Sequence, residues 1–153
     1  MKLYHFFLAT VLVVALVSCK TRTAASDSFA QGISGQVTLS DGNMMPGPGQ
    51  REKKSNGVKR EVYIYALANA HEVVGEAPLY TAVNTPLIAK VTTDSAGYYR
   101  CALKPGTYSL FTREKDGRLF SSLSNGNGEI GVAEIAAGRI LTYNINVNYQ
   151  AVY

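Results

Sequence analysis

The side chains that most often carry out nucleophilic or metal chemistry are scarce in this chain. It contains two cysteines, Cys19 and Cys101, and two histidines, His5 and His71. A Cys–His nucleophile needs both side chains within hydrogen-bonding reach, and no feature of the sequence places His71 beside Cys101. A histidine-based zinc site needs three protein ligands, and only His71 lies outside the N-terminal apolar segment. We therefore predict no catalytic residue, no metal site and no cofactor.

A glycine-rich segment, GNGEIG at residues 126–131, has the G-x-G-x-x-G spacing of a dinucleotide-binding loop. Such a loop binds phosphate only where a strand precedes it and a helix follows, because the helix N-terminus supplies the N–H groups. Here the chain continues as VAEIAAGRILTYNINV, which leads into a strand pattern and is interrupted by Gly138. We interpret these glycines as turn residues.

The N-terminal residues carry the strongest signal for localisation. Lys2 precedes an apolar run at residues 6–17, which has the length of a signal-peptide core and is short for a membrane span. The sequence LVSC at residues 16–19 resembles a bacterial lipobox. That resemblance implies export, cleavage before Cys19, and attachment of lipid to its thiol. The even number of cysteines also permits the alternative, a Cys19–Cys101 disulfide.

The residues after Cys19 suggest a tethered domain. In lipoproteins of this type an Asp after the cysteine favours the inner membrane, so Lys20 points to the outer membrane of a Gram-negative envelope, on a side that the sequence leaves open. Residues 1–18 are then the signal peptide, 19–31 a lipidated, flexible polar tether, and 32–153 the folded domain. The net charge of +4 predicts no nucleic-acid partner, because the basic run at residues 51–60 is interrupted by glutamate and is interpreted as a solvated loop.

From residue 32 onward, short β-forming segments alternate with turn residues. Residues 33–40 and 140–153 alternate between apolar and polar side chains, which predicts strands buried on one side. Residues 60–68 are apolar on both faces, as in a central strand. A turn is predicted at residues 94–97, and KPG at residues 104–106 is predicted to close a hairpin with a left-handed Gly106. About seven such strands predict an all-β, antiparallel Greek-key-type β-sandwich.

Three segments resemble the carboxypeptidase regulatory-like domain, a transthyretin-like (prealbumin-like) β-sandwich: GISGQVTLSDGNMMPGPG, REVYIYAL and AKVTTDSAGYYRCALKPGTYSLF. The matching positions are Gly35, Val37, Pro46, Gly47, Thr93, Asp94, Gly97, Leu103, Pro105, Gly106, Thr107, Tyr108 and Leu110. The resemblance covers most of residues 32–114, and the last strand suits the closing strand of that fold. It implies a non-catalytic sandwich, since the zinc-binding enzyme domain of the carboxypeptidases is missing from this chain. The basic run after residue 50 departs from the pattern.

Outward-facing asparagines on the last strand are the candidate binding face. Asn144, Asn146 and Asn148 alternate with apolar residues and could hydrogen-bond a glycan or a protein loop, or form a plain solvated face. Tyr63, Tyr65 and Tyr98 are expected to be exposed and could stack on sugars. We predict an envelope lipoprotein that contacts the membrane through its lipid and acts as a non-catalytic binding or structural module for an envelope protein. The alternatives are a glycan-binding accessory protein and a hydrolase with an unrecognised site.

Overall fold

The computed structural model describes residues 29–45 and 55–152, and these residues form an all-β fold. The strands are β1 (Gly32–Asn43), β2 (Asn56–Gly57), β3 (Glu61–Ala66), β4 (Val73–Glu76), β5 (Leu79–Val83), β6 (Leu87–Thr92), β7 (Tyr98–Ala102), β8 (Gly106–Arg113), β9 (Leu119–Phe120), β10 (Val132–Ile135), β11 (Ile140–Thr142) and β12 (Ile145–Val152). Within the described residues, the only helix is a 3-10 turn at Ala70–Glu72. The predicted β-sandwich class is confirmed, but with twelve strand segments rather than about seven.

The first sheet is built around β1, which spans 12 residues. The N-terminal half of β1 pairs with antiparallel β7 on one side and with parallel β11 on the other. Its C-terminal half pairs with antiparallel β2 and parallel β12. The first and last strands are therefore neighbours, and their parallel pairing differs from the purely antiparallel arrangement that the turn pattern predicts.

The second sheet is antiparallel, in the order β4-β5-β9-β8-β3-β6, with β10 also paired to β8. β3 lies between β8 and β6, which confirms the prediction of a central strand for this apolar segment. The segment after the helix, which has no clear pattern in the sequence, forms the β4–β5 hairpin.

The main core lies between the two sheets. Its fully buried side chains alternate along the strands, as a sandwich requires; they include Ile33, Val37 and Val147 from the first sheet, and Val62 and Ile64 from the second. In the last two strands and the residues between them, the core-facing residues are Leu141, Tyr143, Ile145, Val147 and Tyr149, and their polar neighbours are mostly exposed. The apolar residues at the outer ends, Ile140 and Val152, are exposed. The alternation predicted for residues 140–153 is confirmed as far as residue 152.

A second apolar cluster covers the opposite face of β3 and β8. Phe111 is fully buried there, with Tyr63 and Ile130, and its ring meets that of Tyr80 on β5 edge-on at 5.9 Å between centroids. The β4–β5 hairpin thus supplies the cover for this face. Because both faces of β8 are buried, residues 109–112 carry no exposed side chain.

The predicted hairpin around KPG is wrong. β7 pairs with β1 in the first sheet, whereas β8 pairs with β3 in the second. The segment at residues 104–106 therefore crosses between the sheets, and Gly106 has φ of 152° instead of the left-handed value of a type II turn. Tyr99, Leu103 and Leu110 nevertheless pack in the same core. They can do so because β7 and β8 lie in opposite sheets, and the core lies between those sheets.

The interruption between β11 and β12 has an identifiable cause. The Tyr143 carbonyl accepts a hydrogen bond from the buried Tyr99 hydroxyl at 2.6 Å. It is therefore not used for main-chain pairing with β1. The Gln36 N–H of β1 is bound instead by the Asn144 side-chain oxygen at 2.9 Å. Gly35 allows this approach, because a Cβ at that position would overlap the Tyr143 carbonyl.

Several other predictions can be compared with the structure. The turn at residues 94–97 is confirmed, with Gly97 at φ 85° and the Asp94 carboxylate accepting the Tyr98 N–H at 2.8 Å. The glycines of GNGEIG lie in a turn that leads directly into β10, as predicted. The predicted signal peptide, the predicted lipidation site Cys19 and most of the predicted tether lie outside the described residues.

Candidate functional site

A groove of about 180 Å³ opens where β12 meets the segment that follows β9. One wall carries all three asparagines of the predicted binding face, Asn144, Asn146 and Asn148, and the other carries Ser121, Ser122 and Leu123. Core residues such as Leu110 and Phe120 contribute the apolar part of the lining. The structure therefore brings the predicted asparagines together with two serines that the sequence did not single out.

The amide oxygens of two of these asparagines are bonded to β1. The Asn144 oxygen accepts the Gln36 N–H, as described above, and the Asn146 oxygen accepts the Ser40 hydroxyl at 2.9 Å. Asn148 is half-buried in the lining and contributes no hydrogen bond to β1. The three asparagines are thus more than a solvated face. Asn144 and Asn146 hold β12 in register with β1, whereas the Asn148 side chain is available to a ligand in the groove.

The open edge of β12 borders the groove. Among the described strands, β12 pairs with β1 only, so the main-chain groups on its other edge have no strand partner. Edge strands of this kind can accept an additional strand through main-chain hydrogen bonds. The groove next to this edge gives such a strand both polar and apolar side-chain contacts.

The serine wall could not be predicted from the sequence. RLFSSLS reads as a strand, but only Leu119–Phe120 forms one, and Ser124 makes an isolated bridge to Ile130. The Ser121 N–H donates a hydrogen bond to the Pro78 carbonyl at 3.0 Å, and the Leu123 carbonyl accepts one from the Gly131 N–H at 2.8 Å. These contacts come from two other loops, and they place residues 121–123 opposite β12.

The residues suited to nucleophilic chemistry are not assembled at the groove. Cys101 lies on β7 in the first sheet, where it is half-buried against the main core and burial raises the pKa of its thiol. His71 is exposed in the 3-10 turn that leads to β4 in the second sheet. Neither residue lines the groove. In residues 29–45 and 55–152, no three His, Cys, Asp or Glu side chains are grouped to hold a metal ion.

A buried carboxylate links the two sheets at one end of the sandwich. The Glu114 side chain is fully buried and accepts hydrogen bonds from Arg60 Nε at 3.2 Å, Thr112 Oγ1 at 3.1 Å and the Tyr149 hydroxyl at 3.4 Å. Arg60 ends the basic run that we interpreted as a solvated loop. That interpretation is wrong for its C-terminal part, because Arg60 is only 12% exposed and Asn56–Gly57 pairs with β1.

The tyrosines expected to be exposed have different environments. Tyr63 is buried in the second cluster and Tyr65 packs beside it, so the expectation is wrong for Tyr63. Their strand is apolar on both faces, and the sequence did not show that β4 and β5 cover the outer one. Tyr98 is 58% exposed and is available for contact with a ligand.

Comparison with known proteins gives no further assignment. No family model, no curated protein and no solved structure matches the chain. Within the described residues, no helix has the length and apolar character needed to cross a membrane.

Proposed function

We propose that this protein is a lipid-anchored envelope protein whose sandwich is a non-catalytic binding module. In this proposal Cys19 carries the lipid, and an extended peptide segment of an envelope protein binds in the groove beside β12. The open edge of β12 next to an asparagine-lined groove is the observation that carries the binding role.

The chemistry of the groove supports this role. Its lining combines amides, hydroxyls and apolar core residues, without a His, Cys, Asp or Glu among the described residues. A peptide strand needs main-chain partners on one side and small side-chain sites on the other, and the β12 edge and the serine wall would supply these. The uncharged lining supports binding rather than hydrolysis.

Glycan binding is the second candidate function. Asn144, Asn146, Asn148 and Ser122 present amide and hydroxyl groups of the kind that bind sugar hydroxyls. The aromatic lining residues of the groove, Phe120 and Tyr143, pack in or against the main core, so a sugar would depend mainly on hydrogen bonds.

The anchor is tested by metabolic labelling with radioactive palmitate in the native envelope. The wild type should incorporate label and Cys19→Ser should not. The thiol of Cys101 should remain free, because lipidation of Cys19 leaves it no disulfide partner. An unlabelled wild type with a Cys19–Cys101 bond would contradict the lipid anchor.

The binding role is tested by photo-crosslinking in intact envelopes. A photoreactive amino acid replaces Asn148 in the groove or, as a matched control, Val74, which is 50% exposed on β4 in the second sheet. A discrete protein adduct from position 148 alone supports peptide binding. An adduct with polysaccharide supports the glycan candidate, and equal adducts from both positions would contradict a binding groove.

A further inference from the structure

A surface of mixed aromatic and basic character surrounds the start of the described chain. It consists of Phe29, Lys59, Tyr98, Arg100, Lys104 and Ile140, and we name it the Phe29 face. Three adjoining cavities, of about 770, 490 and 480 Å³, are lined by these residues in different combinations, and Arg100 lines all three. The Phe29 face is therefore one continuous surface, centred on β7.

The apolar members of this face are unusually accessible. Tyr98 is 58% and Ile140 is 44% exposed. The Arg100 guanidinium lies over the Phe29 ring at 5.9 Å from its centroid, a distance at which a cation and an aromatic ring attract each other. Aromatic and aliphatic side chains beside basic ones are typical of surfaces that lie in the headgroup region of a membrane.

The charge of the Phe29 face is positive. Lys59, Arg100 and Lys104 line its cavities, and Asp94 is the only carboxylate among their described lining residues. The Asp94 carboxylate already accepts N–H groups of its own turn, from Ala96 and Tyr98. The remaining positive charge is complementary to anionic lipid headgroups.

The position of this face along the chain is the second argument. Phe29 belongs to the face and lies ten residues after Cys19. Ten residues reach at most about 35 Å when fully extended, and a flexible chain of that length averages about 17 Å. A lipid on Cys19 would therefore keep this face, more than any other described surface, close to the bilayer at a high effective concentration.

We propose that the Phe29 face docks on the anionic headgroup surface of the membrane that holds the lipid anchor. This inference rests on the proposed lipid anchor and adds to it an orientation of the domain. Phe29, Tyr98 and Ile140 contact the headgroup–acyl boundary, and Lys59, Arg100 and Lys104 contact the phosphates. The groove beside β12, which shares only Asn144 with the cavities of this face, remains open to a partner.

The test uses the full-length lipidated protein in vesicles. An environment-sensitive fluorophore is attached to Tyr98→Cys or, as a control, to Val74→Cys, both in a Cys101→Ala background. The vesicles are phosphatidylcholine alone or phosphatidylcholine with phosphatidylglycerol. We expect a blue shift at position 98 in the anionic vesicles, with little shift at position 74.

Two charge-reversal variants probe the electrostatic contribution. Arg100→Glu with Lys104→Glu should reduce the docked fraction, with the docking equilibrium falling at least about fivefold for each charge removed. Lys115→Glu with Arg118→Glu changes the net charge equally on the exposed turn between β8 and β9, and it should leave the shift at position 98 intact.

Three results would overturn the docking surface: no shift at position 98 in protein that carries its lipid, an equal shift in both kinds of vesicle, or an equal loss in both charge-reversal variants. A shift in native envelopes that is absent from all vesicles would also overturn it, because the face would then contact a protein. Loss of palmitate labelling would instead overturn the lipid anchor, so the two failures can be told apart.

Discussion

Replacing Glu114 with alanine is the most direct test of how the two sheets are held together. The Glu114 carboxylate accepts hydrogen bonds from Arg60 before β3, from Thr112 on β8 and from Tyr149 on β12. Glu114→Ala removes all three bonds and leaves the Arg60 guanidinium, only 12% exposed, without its counter-charge.

The expected loss of stability is large. Removing one partner of a buried ion pair costs about 3–5 kcal/mol, because the remaining charge stays desolvated. Because a small part of Arg60 can still reach water, we expect a value near the lower end, about 3 kcal/mol. Glu114→Gln keeps the shape and an acceptor oxygen, so we expect a smaller loss of about 1–2 kcal/mol.

The measurement is urea unfolding at neutral pH, followed by circular dichroism and by tyrosine fluorescence, since the chain has ten tyrosines and no tryptophan. Asp116→Ala is the control, because Asp116 forms an exposed pair with Arg118 at 2.7 Å and such pairs contribute little. A double-mutant cycle with Arg60→Ala isolates the pair itself. If Glu114→Ala were no less stable than Asp116→Ala, the buried pair would not hold the sheets together.

Three further predictions follow from named contacts. Gly35→Ala should destabilise the fold by about 2–3 kcal/mol, because its Cβ would overlap the Tyr143 carbonyl. Gly126→Ala is the control and should not destabilise it, because there is open space around Gly126. The midpoints of urea unfolding of the two variants test this prediction. Burial raises the pKa of Tyr99, so its stabilising contribution is present below the unfolded-state pKa of about 10 and is lost as pH rises above it; Tyr99→Phe should flatten the alkaline fall in the urea midpoint. Asn148→Ala should leave the midpoint of urea unfolding unchanged but weaken crosslinking from a photoreactive probe at Ser122 in the groove. A shifted midpoint with undiminished crosslinking would contradict a ligand-binding role for Asn148.

The alternating segments of the sequence were sufficient to predict the sandwich. Period-two patterns in β1 and in residues 140–152 place Val37 and Val147 in the core, and β3, which is apolar on both faces after Glu61, is central, as predicted. These predictions depend only on local periodicity and burial. These predictions are correct because the side of each strand that faces the core must be apolar to exclude water.

Predictions that depended on pairing partners were less successful. Pro105 and Gly106 resemble a hairpin turn locally, yet β7 and β8 belong to different sheets, a choice made by distant strands. The groove shows the same limit. The asparagine wall follows from alternation along one strand, whereas the serine wall is positioned by hydrogen bonds to two other loops, at Pro78 and at Gly131. The Arg60–Glu114 pair likewise joins residues 54 positions apart, and nothing in either local segment indicates the partner.

The asparagines show how a structural and a binding role can coexist in one row. Asn144 and Asn146 use their side-chain oxygens to hold β12 against β1, which fixes the orientation of their amide groups along the groove. Donor groups that are already oriented lose little side-chain entropy when a ligand binds. Asn148 contributes no hydrogen bond to β1 and can adjust to the ligand. The two interpretations that the sequence left open, a sheet face and a binding face, are therefore compatible, because different atoms of the same amides would serve each role in the proposed binding.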